Sequence, residues 1–276
     1  MRFCPEESFI PEKCTGCGTC FHVCPTGAVT ISGGSLPDFE DSVCIGCGHC
    51  GVYCPENAFG LKPLEHEGIP GPEGFRRLLE NRRSVRCFSD RIPSEEEIRE
   101  LLSILDQCPT GRNAQGLLVV TARGEGASNR FSGPVVRLAR MLRRTGLLQL
   151  AGALTGMRRV FARLAGGEDL VFRDAPVVIF FFVPGRNPTG RTDGVIAATT
   201  VMYHAVSMGL GTFWNGVAER LYPLFPSWHL AGTSGMRLTA VLCAGYPGRE
   251  PFGMFPGRDY RIRFEGTEKR GGGSSC

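Results

Sequence analysis

The 276-residue chain contains no long hydrophobic run. Its longest strongly apolar stretch, APVVIFFFVPG at 175–185, falls far short of the roughly 20 residues a membrane-crossing helix needs. The opening MRFCPEESFIPEKC lacks the continuous apolar segment of a secretory signal, so the expected location is the cytoplasm. Net charge is only +4, too small an excess to indicate nucleic acid as a partner. Lysine is nearly missing: Lys13, Lys62 and Lys269 are the only three, and almost all positive charge is arginine. No G-x-G-x-x-G follows a strand pattern, because GEGASN at 124–129 lacks the last glycine. No Ser-His-Asp or Cys-His arrangement suggests covalent catalysis, and no general acid can be named.

Cysteine, by contrast, is abundant. Nine of the 13 fall within residues 1–54. CTGCGTCFHVCPTGA from Cys14 and CIGCGHCGVYCPENA from Cys44 both read C-x2-C-x2-C-x3-C-P, offset by thirty residues. Cys14, Cys17, Cys20 and Cys24 thus map onto Cys44, Cys47, Cys50 and Cys54, an internal duplication. Soft thiolates at this spacing suit iron–sulfur clusters. Zinc and a disulfide framework are the alternatives, but zinc sites favour two C-x2-C pairs over triplets followed by Cys-Pro. Cys4 lies outside the pattern and reads as a free thiol. His22 and His49 sit within the cysteine loops and read as packing or hydrogen-bonding groups rather than ligands.

Over about residues 5–63 the chain resembles the bacterial 2[4Fe-4S] ferredoxins. The resemblance implies that Cys14, Cys17, Cys20 and Cys54 hold one cluster and that Cys44, Cys47, Cys50 and Cys24 hold the other. A domain of this size buries little core, and the clusters are expected to supply its folding energy.

After this segment, LKPLEHEGIPGPEG at 61–74 has no periodic apolar face and reads as a linker. The expected organisation is an iron–sulfur domain at 1–63, a linker at 64–74, a second domain at 75–264 and a disordered tail at 265–276. In the second domain Phe75, Leu78 and Leu79 mark a helix with Pro72 near its start, and Ser94 with Glu97 forms a capping box ahead of Ile98, Leu101, Leu102 and Leu105. Strands are expected at 117–122, 176–183, 237–248 and 260–264, and a long helix at 193–209. Strands alternate with helices, an α+β or α/β pattern.

RRSVRCF at 82–88 crowds three arginines and a serine into five positions. Read alone, it is a basic helix end, since cations favour helix C-termini. RRSVRCF, TGRNAQ, DGVIAATTVMYHAVSMGLGTFWNG and AGYPGREP follow in that order across about 72–264. Together they resemble the flavin-dependent nitroreductase family, in which an N-terminal ferredoxin domain also occurs. The resemblance implies an α+β sheet flanked by helices, an intertwined homodimer and FMN at the subunit interface. It assigns Arg82, Ser84 and Arg86, with Arg83 close by, to the phosphate and ribityl end of FMN. Arginine forks and a hydroxyl suit a phosphomonoester. It assigns Asn113 and Gln115 to the flavin ring or ribityl chain, Asn215 and Gly216 to a loop whose backbone approaches the ring, and Arg258 to a late phosphate contact. Some relatives carry an acidic residue where this chain has Asn215. His204 reads as a satisfied core or interface histidine, and Cys87, Cys108 and Cys243 as buried and inert.

Residues 126–167 contain eight arginines and no acidic residue. They read as one or two amphipathic basic helices. By the resemblance these cover the flavin; docking of an acidic protein, membrane-surface association and a plain solvated face remain open alternatives.

Clusters move one electron at a time, whereas a flavin can deliver a pair. The resemblance therefore implies an oxidoreductase with two [4Fe-4S] clusters and FMN, acting on a small-molecule substrate and fed by an external ferredoxin or NAD(P)H. Oxygen sensitivity is expected. An electron-transfer module without a small substrate, or a flavin redox sensor acting on a protein partner, are the alternatives.

Overall fold

The computed structural model describes residues 3–31, 36–65, 67–249 and 261. The expected contact at Arg258, the tail at 265–276 and, Arg261 apart, the strand at 260–264 lie outside the described residues. Among the described residues no helix is long and apolar enough to cross a membrane.

The cysteine-rich part is built from short pieces: helix α1 (Pro5–Ser8), α2 (Thr19–His22), strands β1 (Val29–Ile31) and β2 (Pro37–Phe39), and α3 (His49–Val52). β1 and β2 pair antiparallel, Val29 opposite Phe39. The duplication recurs in the backbone, since α2 and α3 each start one residue after a left-handed glycine, Gly18 at φ +74° and Gly48 at φ +75°. Only glycine adopts that geometry without strain. The core here is small: Val29, Cys50, Ala58 and Phe59, edged by the rings of Phe3, Phe9 and Phe39.

The remainder contains α4 (Pro72–Asn81), α5 (Glu95–Ser103), β3 (Leu118–Arg123), α6 (Asn129–Arg144), α7 (Leu147–Thr155), α8 (Arg158–Gly166), β4 (Val177–Pro184), α9 (Gly190–Ser207), β5 (Gly211–Trp214), α10 (Gly216–Leu221) and β6 (Met236–Gly245). The sheet order is β3-β4-β6-β5, and every pair is antiparallel. The class is α+β. Strand β4 is buried on both faces, which is why its sequence is apolar without alternation. Val177, Ile179 and Phe181 pack towards α5 and α9, while Val178, Phe180 and Phe182 pack towards Phe131 of α6, Phe172 and Trp228. Gly194 lets α9 lie directly on β6, since a Cβ there would run into the Thr239 side chain.

The capping box forms as expected: Ser94 Oγ accepts from the Glu97 N–H at 3.1 Å, and Glu97 Oε2 accepts from the Ser94 N–H at 2.7 Å. Helix α4 begins at Pro72, inside the stretch read as linker. Strand β5, only four residues long, was not anticipated.

Candidate cofactor sites

The eight repeat cysteines line two separate cavities. Cys14, Cys17, Cys20 and Cys54 border one. Cys24, Cys44, Cys47 and Cys50 border the other. The last cysteine of each repeat therefore stands with the first three of its twin. Among the described residues no three His, Cys, Asp or Glu side chains close on a single-ion site; the sulfurs surround a space, as a cubane requires. Backbone donors face them: the Gly46 N–H bonds Cys44 Sγ at 3.4 Å, and the Ala58 N–H bonds Cys54 Sγ at 3.3 Å. Cys17 is exposed, and the Thr19 hydroxyl, 3.3 Å from its sulfur, holds its pKa below the usual thiol value. Burial instead pushes Cys50 up to about 11, the cost of ionising a thiol away from water. Two sets of four soft donors, with N–H groups aimed at sulfur, fit iron–sulfur clusters. Cys4 borders neither cavity. His22 packs edge-on against Phe21, and His49 lies tilted against Tyr53.

In the second region, RRSVRCF leaves the end of α4 and runs beside β5. Ser84 bridges Thr212 in parallel, and the Val85 N–H donates to the Thr212 carbonyl at 3.0 Å. Gly211 makes this approach feasible, because a Cβ there would lie 2.6–2.8 Å from the Val85 side chain. Side chains alternate along an extended run, so Arg82, Ser84 and Arg86 share one side and Arg83 and Val85 the other. Arg83 turns back, donating to the Arg82 carbonyl at 3.0 Å. Arg86 lies 5.7 Å from the Phe213 ring centroid. No carboxylate among the described residues pairs with these arginines. One side carrying two guanidinium groups and a hydroxyl fits the phosphate of FMN. Cys87, expected to be buried, is exposed, and Cys108 is half-buried; only Cys243 is enclosed, its thiol pKa raised by burial.

The loop 110–116 is contorted. Arg112, Asn113 and Gln115 all have positive φ, +55°, +50° and +49°, each costing about 1 kcal/mol or more at a non-glycine residue. Hydrogen bonds hold it there. The Gln115 N–H donates to Thr110 Oγ1 at 3.0 Å, and the Gly111 N–H to Asp193 Oδ1 at 2.9 Å. The carboxylate of Asp193 is buried at the start of α9, where it also accepts from Asn187 Nδ2 at 3.1 Å and Thr189 Oγ1 at 3.0 Å. Sequence reading missed Asp193, because its partner lies 82 positions away. Asn113 Nδ2 donates to the carbonyls of Gly46 at 2.8 Å and Ile45 at 3.0 Å, both in the second cysteine loop. Gln115 is exposed, and its amide lies 3.4 Å from Asn113 Oδ1.

Asn215 is 3% exposed and fully engaged. Its Oδ1 caps α10 by accepting from the Ala218 N–H at 3.0 Å, and its Nδ2 donates to the Val171 carbonyl at 3.0 Å. At this turn the backbone around Gly216, rather than the Asn215 side chain, remains to meet a ligand. His204, half-buried on α9, has its Nδ1 bonded to the Leu101 carbonyl at 3.1 Å, so the ring is satisfied there. The arginine-rich segment forms three helices, α6 to α8, around Ala139, Leu148 and Ala165, with all eight arginines exposed.

The nitroreductase family model matches residues 79–246, and that of the 4Fe-4S binding domain matches residues 7–30. No curated protein matches the chain. Among solved structures, a nitroreductase with bound FMN from Desulfitobacterium hafniense DCB-2 is 18% identical, with a TM-score of 0.53 over 69% of this chain and 97% of that one. A BluB-like flavoprotein from Clostridium difficile 630 is 16% identical, with a TM-score of 0.48 over 70% and 96%. Since the family match takes in the sheet, α9 and the turn at Asn215, this chain belongs to the nitroreductase family and carries a 4Fe-4S binding domain at its N-terminal end.

Proposed function

We propose that the chain is an FMN-dependent oxidoreductase in which two [4Fe-4S] clusters relay single electrons to the flavin, for reduction of a nitro compound, a quinone or an activated double bond. The observation that carries this reading is the pair of hydrogen bonds from Asn113 to the second cysteine loop, which joins the sulfur-lined cavities to the nitroreductase part of the chain. Family membership makes an oxidoreductase the coarse reading; that direct contact supports coupling between the two parts. When bound, the clusters supply one-electron transfer and FMN supplies its pairing into a two-electron delivery.

The residues have separable tasks. Cys14, Cys17, Cys20 and Cys54 would hold one cluster, and Cys24, Cys44, Cys47 and Cys50 the other. Arg82, Ser84 and Arg86 would neutralise the FMN phosphate, with Arg83 bracing the strand behind them and Arg258 adding charge. Gly216 would bring backbone close to the ring, in a turn that Asn215 fixes. Asn113 keeps only Oδ1 for a flavin donor, and Gln115 lies beside it. A second copy of the chain would cover the apolar face left by Phe75 and Leu79 on α4 and Val195 on α9, all exposed here; that supports a homodimer. The fused clusters favour a reduced ferredoxin over NAD(P)H as donor.

The test is an oxygen-free preparation analysed for iron, sulfide and flavin, then assayed with a nitroaromatic, a quinone and an enoate. About eight irons and one FMN per chain, with turnover of at least one substrate, is the expected result. Bound cofactors without turnover of any substrate would indicate an electron-transfer module or sensor instead. Material lacking iron absorbance would overturn the reading.

A further inference from the structure

Asn113 has a task beyond the flavin. Its carboxamide carries two N–H groups, and the structure uses both on the carbonyls of Ile45 and Gly46. Those two residues lie between Cys44 and Cys47, on the loop that wraps the cavity of Cys24, Cys44, Cys47 and Cys50. Among the described residues no hydrogen bond joins the nitroreductase part to the equivalent loop at 14–20. The two cysteine sets also differ in exposure: Cys50 of the second set is buried, whereas Cys17 of the first faces solvent. The loop carrying Asn113 is held in left-handed backbone by Thr110 and Asp193. Ordinary loops do not retain three such residues, and their persistence points to a position that function fixes.

We infer that the two cluster sites are ordered. The Cys24/Cys44/Cys47/Cys50 site is the inner one, latched to the nitroreductase domain by Asn113. The Cys14/Cys17/Cys20/Cys54 site is the outer one, with Cys17 facing solvent. This rests on the functional reading above and assigns its direction. Each passage moves one electron. A low-potential one-electron donor of the ferredoxin class is oxidised at the outer site, and two passages with two solvent protons balance the reduction of one double bond. Asn113 is a positioning residue: it sets the distance between the inner site and the flavin domain.

The test uses the holoprotein under nitrogen, with the two clusters titrated separately by electron paramagnetic resonance. Cys17→Ser and Cys47→Ser identify which signal belongs to which site. Asn113→Asp places a carboxylate beside the second loop, and negative charge opposes adding an electron most strongly where it is closest. At a fixed poise the reduced-to-oxidised ratio of the inner cluster should fall about tenfold and that of the outer less than about twofold. Asn113→Ala should raise amide hydrogen exchange at 44–48 about fivefold or more and leave 14–18 unchanged. An equal or larger response at the outer cluster, or unchanged exchange at 44–48, overturns the assignment. Iron and sulfide analysis of the unaltered protein comes first: fewer than two clusters defeats the functional proposal itself, an outcome distinct from a misplaced latch.

Discussion

The carboxyl of Glu219 sits half-buried on α10, one turn beyond Gly216, and accepts weakly from the Val241 N–H at 3.4 Å. Burial raises its pKa above the usual carboxylate value, with only partial relief from hydrogen bonds and nearby arginines. A carboxyl whose folded pKa lies above its unfolded one favours the protonated fold, so ionisation destabilises. Glu219→Gln should therefore melt higher than the parent above the raised pKa. The difference should shrink as pH falls through that value and vanish below the unfolded pKa. Thermal denaturation of both proteins from pH 4 to pH 8 checks the sign, and a gain that grew on acidification would contradict the burial argument. Asn215 shows how differently one residue reads in sequence and in space. The motif placed it on a loop whose backbone is expected to approach a flavin; the fold shows its side chain capping α10 while its amide satisfies Val171. An aspartate there would keep the cap but bring a negative charge against the Val171 carbonyl. The side chain thus serves the turn first.

Among the elements, β5 decides how the arginine motif is displayed. Its first residue, Gly211, faces Val85 so closely that any side chain would push RRSVRCF off the sheet edge. Gly211→Ala is expected to cost about 1–3 kcal/mol of local packing. That should weaken FMN binding by about tenfold or more, since about 1.4 kcal/mol corresponds to a factor of ten, with iron content unchanged. Flavin fluorescence titration beside iron analysis measures both, and parental flavin affinity would show that the strand edge does not set the motif. Sequence alone gave no sign of β5, because GTFW is too short for periodicity to speak and is preceded by Gly209 and Leu210, which read as a helix end. The longer elements were legible for physical reasons. Strand β4 has a continuous apolar run because both its faces are buried, and α5 carries its start signal in Ser94 and Glu97. The cysteine repeats were legible because ligand spacing is local. The Asp193–Gly111 and Asn113–Gly46 bonds were not, because nothing local announces a partner tens of residues away.

Across the whole molecule, stability is divided unevenly. The nitroreductase part rests on two large apolar clusters, one on each face of the sheet. Among the described residues the N-terminal part buries five apolar side chains, Ala28, Val29, Cys50, Ala58 and Phe59, and Cys50 is itself among the cavity-lining thiols. Its two strands are three residues long, and its helices span single turns. An apolar core that small cannot offset the conformational entropy of about sixty residues, at roughly 1–2 kcal/mol each. Sulfur ligation must supply the difference, so folding and iron occupancy are linked there. Removing iron with a chelator should therefore abolish amide protection over residues 3–61 while leaving protection in β4, β6 and α9 intact. Heat or urea should show two transitions in the holoprotein, and only the iron-independent one once metal is stripped. The Asn113 bonds would break with the first transition, but they are too few for the larger domain to lose its fold with them. If the N-terminal residues kept their protection after complete iron removal, the small core would be sufficient by itself, and the cysteine cavities would have to be explained without a structural role for metal.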